Sequence, residues 1–224
     1  MERASGSGGD DKLRRLPPGR HGLSREFVQT NQRERLIAGT IAAVAERGYR
    51  DTTVTHISAA AGVSRRTFYG YFATKEECFN ATFDVLEEHL FAALTDAGEA
   101  DAAWPSKVRA RVAAMLAFLA GNPDLVRFAL IAPPAAGGET LERNREFLER
   151  LVELLTAGSP EGRGYSAATP AERETVAGAL TAVLAAKVEA GEGERLAEVA
   201  PELVELTLVP FIGRRRAASE AQKD

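Results

Sequence analysis

The side chains best suited to chemistry in this sequence lie close together between positions 65 and 75. They are basic, hydroxylic or aromatic, with one glycine: Arg65, Arg66, Thr67, Tyr69, Gly70, Tyr71 and Lys75. Arginine and lysine donate hydrogen bonds to phosphates, arginine also pairs with guanine edges, and hydroxyl groups contact bases and backbone oxygens. This mixture suits a surface that binds the major groove of double-stranded DNA.

The elements that must position this cluster follow from cap and turn signals. Apolar residues at helical spacing predict a first helix over about 31–47, which Gly48 ends. Thr53 can cap a short alanine-rich second helix, and Gly62 supplies the permissive backbone of a tight turn. Ser64 can then cap a third helix, so the segment predicts a helix-turn-helix.

The third helix, expected to run through Tyr71, has one apolar face and one polar face. Phe68 and Phe72 stand four residues apart and anchor the helix on a small core, which leaves the polar cluster free. Thr74 and Glu77 match a capping box that begins a fourth helix. An apolar stripe follows that helix through Phe79, Phe83, Leu86, Leu90 and Leu94. We expect this helix to run from the first domain into the next.

These residues resemble the signature of the tetracycline-repressor (TetR) family. The resemblance covers about residues 30–90 and is carried by Thr53 to Ser64, Phe68-Tyr69-Gly70-Tyr71-Phe72 and Lys75-Glu76. It implies that Thr53, Thr55 and Lys75 contact phosphates. The residues that it implies to face bases are Arg65, Arg66, Thr67 and Gly70. Tyr69 and Tyr71 would hold the DNA backbone on either side of the groove.

The consecutive pair Arg65-Arg66 departs from the family pattern. It favours guanine readout or adds affinity for phosphate, and both interpretations are open. A third interpretation is that the arginines are a solvated charge pair and that the tyrosines are partly core.

Helical periodicity together with the resemblance predicts an all-α fold. An N-terminal three-helix helix-turn-helix DNA-binding domain would precede a C-terminal helical bundle for ligand sensing and dimerisation. Further helices are expected over residues 106–120, 123–131, 139–157, 170–190 and 194–216. The expected divisions are a flexible tail over 1–28, the DNA-binding domain over 29–76, the effector-binding and dimerisation domain over 77–216, and a flexible C-terminus over 217–224.

Apolar residues of the C-terminal bundle are candidates for the lining of an effector pocket. They are Leu90, Trp104, Met115, Phe118, Leu119, Phe128, Phe147 and Leu151. Few charges fall on these stripes, which favours a small apolar or aromatic effector over a metal or a sugar phosphate. The resemblance implies a repressor that such an effector releases from DNA by shifting the fourth helix.

The last two predicted helices carry more apolar surface than one small subunit needs to cover. The resemblance implies that they form the four-helix interface of a homodimer. Two-fold symmetry would place two recognition helices about one DNA turn, roughly 34 to 36 Å, apart. A palindromic operator is therefore expected.

The net charge of −4 conceals an asymmetry along the chain. Residues 1–75 contain 13 Lys and Arg against 7 Asp and Glu, a net charge of +6, whereas residues 76–224 contain 15 against 25, a net charge of −10. The basic end suits a polyanion. Arg14, Arg15, Arg20 and Arg25 of the tail, and Arg214-Arg215-Arg216 at the expected end of the last helix, are either solvated or additional DNA contacts.

Clustered catalytic residues do not occur in the sequence. The histidines His21, His56 and His89 lack metal-ligand spacing, and no nucleophile elbow, phosphate loop or dinucleotide fingerprint is found. The single cysteine, Cys78, cannot form an internal disulfide or a cysteine-based zinc site. We therefore expect no enzymatic activity, no cofactor and no metal. The alternative to a DNA-binding regulator is a protein of the same fold that acts as a non-DNA-binding interaction or sensor module.

Hydropathy argues against a membrane protein. Charges interrupt every apolar run before the roughly 18 to 20 residues that a membrane span needs, and the N-terminus lacks an apolar signal segment. A cytoplasmic location without membrane contact is expected.

Overall fold

The computed structural model describes residues 25–98, 102–120, 123–132, 138–160 and 165–223. These residues form helices and no β-strand, so the predicted all-α class is confirmed. The helices are α1 (Arg25–Asp51), α2 (Val54–Ala61), α3 (Arg65–Tyr69), α4 (Lys75–Thr95), α5 (Trp104–Ala120), α6 (Pro123–Val126), α7 (Gly138–Thr156), α8 (Pro170–Glu189), α9 (Ala200–Ile212) and α10 (Arg214–Ala221). A π-helical segment, Arg127–Ile131, continues α6, and a 3₁₀ segment, Gly193–Val199, precedes α9.

Two hydrophobic cores organise the described residues. The small core joins α1, α2, α3 and the start of α4, and contains Leu36, Ala43, Ile57, Ala61, Phe68, Phe72 and Cys78. The large core fills the C-terminal bundle and includes the stripe Phe79, Phe83, Leu86, Leu90 and Leu94 of α4. Both α1 and α4 contribute to both cores, and these two helices therefore connect the two parts of the molecule.

Close backbone contact joins α1 to α2. A Cβ added at Gly39 would lie 2.6 Å from the backbone nitrogen of Ala61, which is closer than Cβ atoms in proteins come to non-bonded heavy atoms. Glycine at this position lets the two helices touch. Gly48, with a φ of 76°, breaks α1 near the residue where the sequence predicts its end, and one further turn follows.

The structure corrects the predicted C-terminal region. A single helix over 194–216 is expected from the sequence, but the chain forms the 3₁₀ segment, then α9, and then breaks at Gly213 with a φ of 72°. Residues 217–224, expected to be flexible, are helical as far as Ala221, because Ala217 and Ala221 are buried one turn apart. Arg214 to Arg216 consequently lie in the first turn of α10, not at a helix C-terminus.

The N-terminal boundary also differs from the prediction. Residues 25–28, expected to belong to a flexible tail, are part of α1. The rest of that predicted tail, with Arg14, Arg15 and Arg20, lies outside the described residues.

Candidate DNA-binding surface

A left-handed glycine forms the turn between α2 and α3. Gly62 has a φ of 63°, and its amide donates to the carbonyl of Ala59 at 3.1 Å, while the next amide, that of Val63, donates to Ser58 at 3.0 Å. The guanidinium of Arg35 donates to the carbonyl of Gly62 at 2.8 Å. The turn is thereby tied to α1, and the angle between α2 and α3 is fixed.

Local side-chain caps begin the helices of this domain as the sequence predicts. Thr53 Oγ1 accepts a hydrogen bond from the His56 amide at 3.3 Å, and Ser64 Oγ accepts one from the Thr67 amide at 3.0 Å. Thr74 Oγ1 likewise accepts from the Glu77 amide at 3.0 Å. These contacts satisfy amides that a helix start otherwise leaves without partners.

The capping pair that begins α4 differs in one detail from the predicted box. The carboxylate of Glu77 accepts from the amide of Ala73 at 2.6 Å, one residue before the Thr74 cap. Both predicted side chains, Thr74 and Glu77, nevertheless accept hydrogen bonds from backbone amides at the start of α4.

The outer face of α3 is open to solvent. Phe68 is fully buried in the small core, whereas Arg65, Arg66 and Gly70 are exposed and Tyr69 is 51% exposed. Neither arginine has an ion-pair partner among the residues that the structure describes. The helix ends at Tyr69, two residues before the predicted end. The basic and aromatic groups therefore project from one short, well-anchored helix.

Thr67 and Tyr71 are less available than the other members of the cluster. The Thr67 hydroxyl lies 2.9 Å from Ser64 Oγ, and the side chain is half-buried. The Tyr71 hydroxyl donates to Gln32 Oε1 at 3.1 Å, and its ring packs against the small core. Since a phosphate only accepts hydrogen bonds, Tyr71 must release Gln32 before it can donate to one.

Two threonines and a lysine flank α3. Thr53 and Thr55 are exposed at the start of α2. Because the Thr53 oxygen accepts from an amide, its hydroxyl proton remains able to donate to a phosphate. Lys75, in the first turn of α4, is half-buried, and its Nζ donates to the Tyr49 carbonyl at 3.0 Å and lies 4.2 Å from the centroid of the Tyr49 ring.

Tyr49 and Glu76 share a hydrogen bond beside Lys75. The Tyr49 hydroxyl donates to Glu76 Oε1 at 3.0 Å. Burial, with the neighbouring Glu76 carboxylate, raises the pKa of Tyr49 well above its ordinary value. Partial burial opposes the charged form of Glu76, but hydrogen bonds from its own amide and from Tyr49, together with the Lys75 ammonium, outweigh it and lower the pKa of Glu76. The lysine therefore sits beside a carboxylate that stays ionised.

Sequence reasoning missed the residues that hold this surface from behind. Arg35, Gln32 and Tyr49 contact the turn, Tyr71 and Lys75 respectively, across 26 to 39 positions of sequence. No local pattern signals such contacts, because they depend on the packing of α1 against α2 and α4.

The residues predicted to line an effector pocket lie together in the large core. Seven of them are buried, and Phe118 is partly buried against the same core. Phe147 also lines a surface groove of about 560 Å³ between α4 and α7, where Phe91 and charged side chains complete the wall. The predicted set is thus brought together as packed core, with Phe147 at its edge.

The described residues contain no group of three or more His, Cys, Asp and Glu side chains that could hold a metal ion. Within the same parts of the chain, no helix is long and apolar enough to cross a membrane.

The N-terminal segment is similar to known proteins. Residues 36–82 match the model of a family described as bacterial regulatory proteins, tetR family. The nucleoid occlusion factor SlmA of Pasteurella multocida (strain Pm70) is 34% identical over 82 residues, which are 37% of this chain and 41% of that protein. The match therefore spans about two fifths of that relative.

Solved structures extend the likeness beyond this segment. The fatty acid degradation regulator FadR from Bacillus halodurans superimposes with a TM-score of 0.64 at 23% identity, over 78% of this chain and 97% of that one. The regulator FadR from Bacillus subtilis in complex with stearoyl-CoA gives a TM-score of 0.64 at 20% identity, over 79% and 97%. At these identities the likeness concerns the fold.

Proposed function

We propose that the protein is a sequence-specific DNA-binding transcriptional regulator of the tetR family, because residues 36–82 match the model of that family and the described part of the chain has the fold of solved regulators similar to it. The observation that carries the proposal is the outer face of α3, where Arg65, Arg66 and Tyr69 are exposed directly after a left-handed turn. The helix-turn-helix consists of α2 and α3, and in such a motif the second helix, here α3, enters the major groove.

Each exposed group has a role that its chemistry suits. Arg65 and Arg66 reach guanine edges or phosphates, and Tyr69 donates from the rim of the groove to the DNA backbone. Thr53 and Thr55 on one side and Lys75 on the other would contact phosphates flanking α3. Thr67 and Gly70 complete the base-facing side, and Tyr71 contributes once Gln32 is released.

A homodimer would supply the second recognition helix. In a single subunit, α8 and α9 border a groove of about 470 Å³ whose apolar members include Val176, Ala179, Leu206, Val209 and Pro210. A second copy seated on these two helices would cover the groove. The operator is then a palindrome whose half-sites lie about one DNA turn apart.

The regulator would act as a repressor that a small apolar or aromatic effector releases. Aromatic and aliphatic side chains dominate the large core, and Phe83, Phe128 and Phe147 form a chain of ring contacts within it. The structural neighbour from Bacillus subtilis was solved with stearoyl-CoA, which makes a long acyl chain one effector to test. An effector that prefers the DNA-free arrangement by about 1 to 3 kcal/mol would empty the operator.

Fluorescence anisotropy on the DNA immediately upstream of the protein's own gene tests the proposal, with a shuffled sequence as the control. We expect binding that exceeds the shuffled control at least ~1,000-fold and falls steeply with salt. Tyr69→Ala and Arg65→Ala should each weaken it by roughly tenfold or more. Leu141→Ala is the matched control, since Leu141 is also exposed, at 46%, but lies on α7.

Each outcome of that experiment has a definite meaning. Equal binding to native and shuffled DNA places the operator elsewhere and calls for selection from random sequence. If the selection also yields no DNA that the protein binds, the proposal is refuted and the non-DNA-binding sensor or interaction module is favoured. If an operator is found, effectors, beginning with long-chain acyl-CoA, can be screened by release of the bound operator.

A further inference from the structure

Tyr49 stands where the large core meets the DNA-binding surface. It follows the Gly48 break in the last turn of α1 and is buried, with 5% of its surface exposed. Tyr49, like Val44 of the same helix, belongs to the large core, where its ring contacts Phe79. A residue of the DNA-binding domain is thus part of the bundle's interior.

On one side, Tyr49 holds the first two residues of α4. The Lys75 ammonium donates to the Tyr49 carbonyl at 3.0 Å and lies 4.2 Å from the centroid of the ring. The Tyr49 hydroxyl donates to Glu76 Oε1 at 3.0 Å. Carbonyl, ring face and hydroxyl therefore all make contacts at the N-terminus of α4.

On its other side, Tyr49 continues an aromatic chain through the bundle. Its ring meets Phe79 edge to face with centroids 4.9 Å apart, and Phe79 lies 4.5 Å from Phe128. Phe128 belongs to the π-helical segment and lies 6.3 Å from Phe83, which in turn contacts Phe147 at 5.0 Å. Ring contacts therefore run from α7 to the lysine at the DNA-binding surface.

We propose that Tyr49 is a positioning residue for DNA binding, which holds the Lys75 ammonium ready for a phosphate and passes packing changes of the large core to it. The inference rests on the proposed DNA-binding function. A lysine side chain is flexible, and the Tyr49 ring helps to fix it beforehand. One N–H of the ammonium donates to the Tyr49 carbonyl, which leaves two of the three for the phosphate. Since a protein core is closely packed, a displacement of Phe128 or Phe79 has to move the Tyr49 ring or leave a cavity beside it.

The salt dependence of operator binding measures the contribution of Lys75. The slope of log K against log salt is negative, and each phosphate contact adds about 0.9 to its magnitude. Lys75→Gln removes one such contact from each subunit of a dimer and should therefore reduce the magnitude by about 1.8. We expect Tyr49→Leu to produce at least half of this decrease and to add little to Lys75→Gln in the double variant. Tyr49→Phe, which keeps the ring, should retain the wild-type slope.

A control separates positioning from simple destabilisation. Val44→Ala removes methyl groups from the same core five residues earlier on α1, and should lower the melting temperature without changing the slope. If Tyr49→Leu changes only the melting temperature, as Val44→Ala does, the positioning role is refuted while DNA binding by the wild type stands.

Proton NMR of the side chain of Lys75 provides a reading without DNA. The ring should shift the ε-methylene protons of Lys75 upfield in the wild type and in Tyr49→Phe, but not in Tyr49→Leu. Phe128→Leu should reduce both this shift and the salt slope. Leu154→Ala, at a residue of α7 that packs against the large core, should change neither. An unchanged Lys75 signal in Phe128→Leu would overturn the transmission of core packing. A wild type with the upfield shift but no DNA binding would instead refute the proposed function.

Discussion

Cys78 lies at the contact between α1 and α4 and is fully buried, with its Sγ 3.1 Å from Thr40 Oγ1. Burial raises the pKa of the Cys78 thiol from its ordinary value of about 9 to about 11. A thiol is nucleophilic only as the thiolate and only when a reagent can reach it. We predict that at pH 8 the Cys78 thiol of the native protein reacts with a disulfide reagent no faster than α1 and α4 separate to expose it. In denaturant the thiol should react fully. Rapid labelling of the native state would show that α1 and α4 separate more easily than their packing indicates.

The raised thiol pKa also predicts a dependence of stability on pH. Because the folded pKa lies above the unfolded one, its contribution is complete below about pH 9 and is lost as the pH rises toward 11. The expected loss is on the order of 2 kcal/mol in the free energy of unfolding. Urea unfolding of Cys78→Ala over the same range supplies the control, since that variant should lack this component of the decline. Equal declines in both proteins would contradict the assignment to Cys78.

At the scale of single residues, the sequence predicts what is decided locally. Thr53, Ser64 and Thr74 cap their helices, and Gly62 is left-handed, because each needs only the backbone within three or four residues. The hydrogen bond from Tyr71 to Gln32 spans 39 positions, and no cap or turn rule contains it.

At the scale of elements, the closeness of α1 and α2 depends on Gly39. We predict that Gly39→Ala destabilises the protein by about 1 to 3 kcal/mol, although alanine favours a helix more than glycine does. The added Cβ would meet the backbone of Ala61 at 2.6 Å, and a backbone atom cannot rotate away as a side chain can. Urea unfolding checks this, with the exposed neighbour Ala38→Ser as the control. An unchanged or stabilised variant would mean that α2 can shift without loss.

The C-terminal elements show where periodicity fails. Apolar residues recur at helical spacing over 194–216 and predict one helix, but burial of Leu196 and Val199 in a 3₁₀ segment and the positive φ of Gly213 divide it. Beyond that break, 217–221 contains no large apolar residue, and only tertiary packing reveals that Ala217 and Ala221 are a narrow buried stripe. By contrast, α5, α7 and α8 begin within two residues of their predicted starts, because prolines and glycines bound them.

At the scale of the whole molecule, the two cores separate a basic end from an acidic one. Residues 1–75, which have a net positive charge, include the exposed face of α3, whereas residues 76–224 carry the excess of carboxylates. A polyanion is therefore directed to the helix-turn-helix end of the chain. In the proposed complex with DNA, such steering would orient the protein, whereas recognition of a palindrome would require a second subunit.

Val209 offers the sharpest test of that second subunit. It is half-buried beside the groove between α8 and α9, so a charged side chain at this position can still reach solvent in a lone subunit but not in a covered interface. We predict that the wild type is a dimer at micromolar concentration in light scattering coupled to size-exclusion chromatography. Val209→Glu should be largely monomeric, retain its helical circular dichroism and lose affinity for the palindromic operator far more than for a half-site. Leu141→Glu, on the exposed face of α7, should remain dimeric. A dimeric Val209→Glu would place the subunit contact on another face, and the spacing of the two α3 helices would then have to follow from that face.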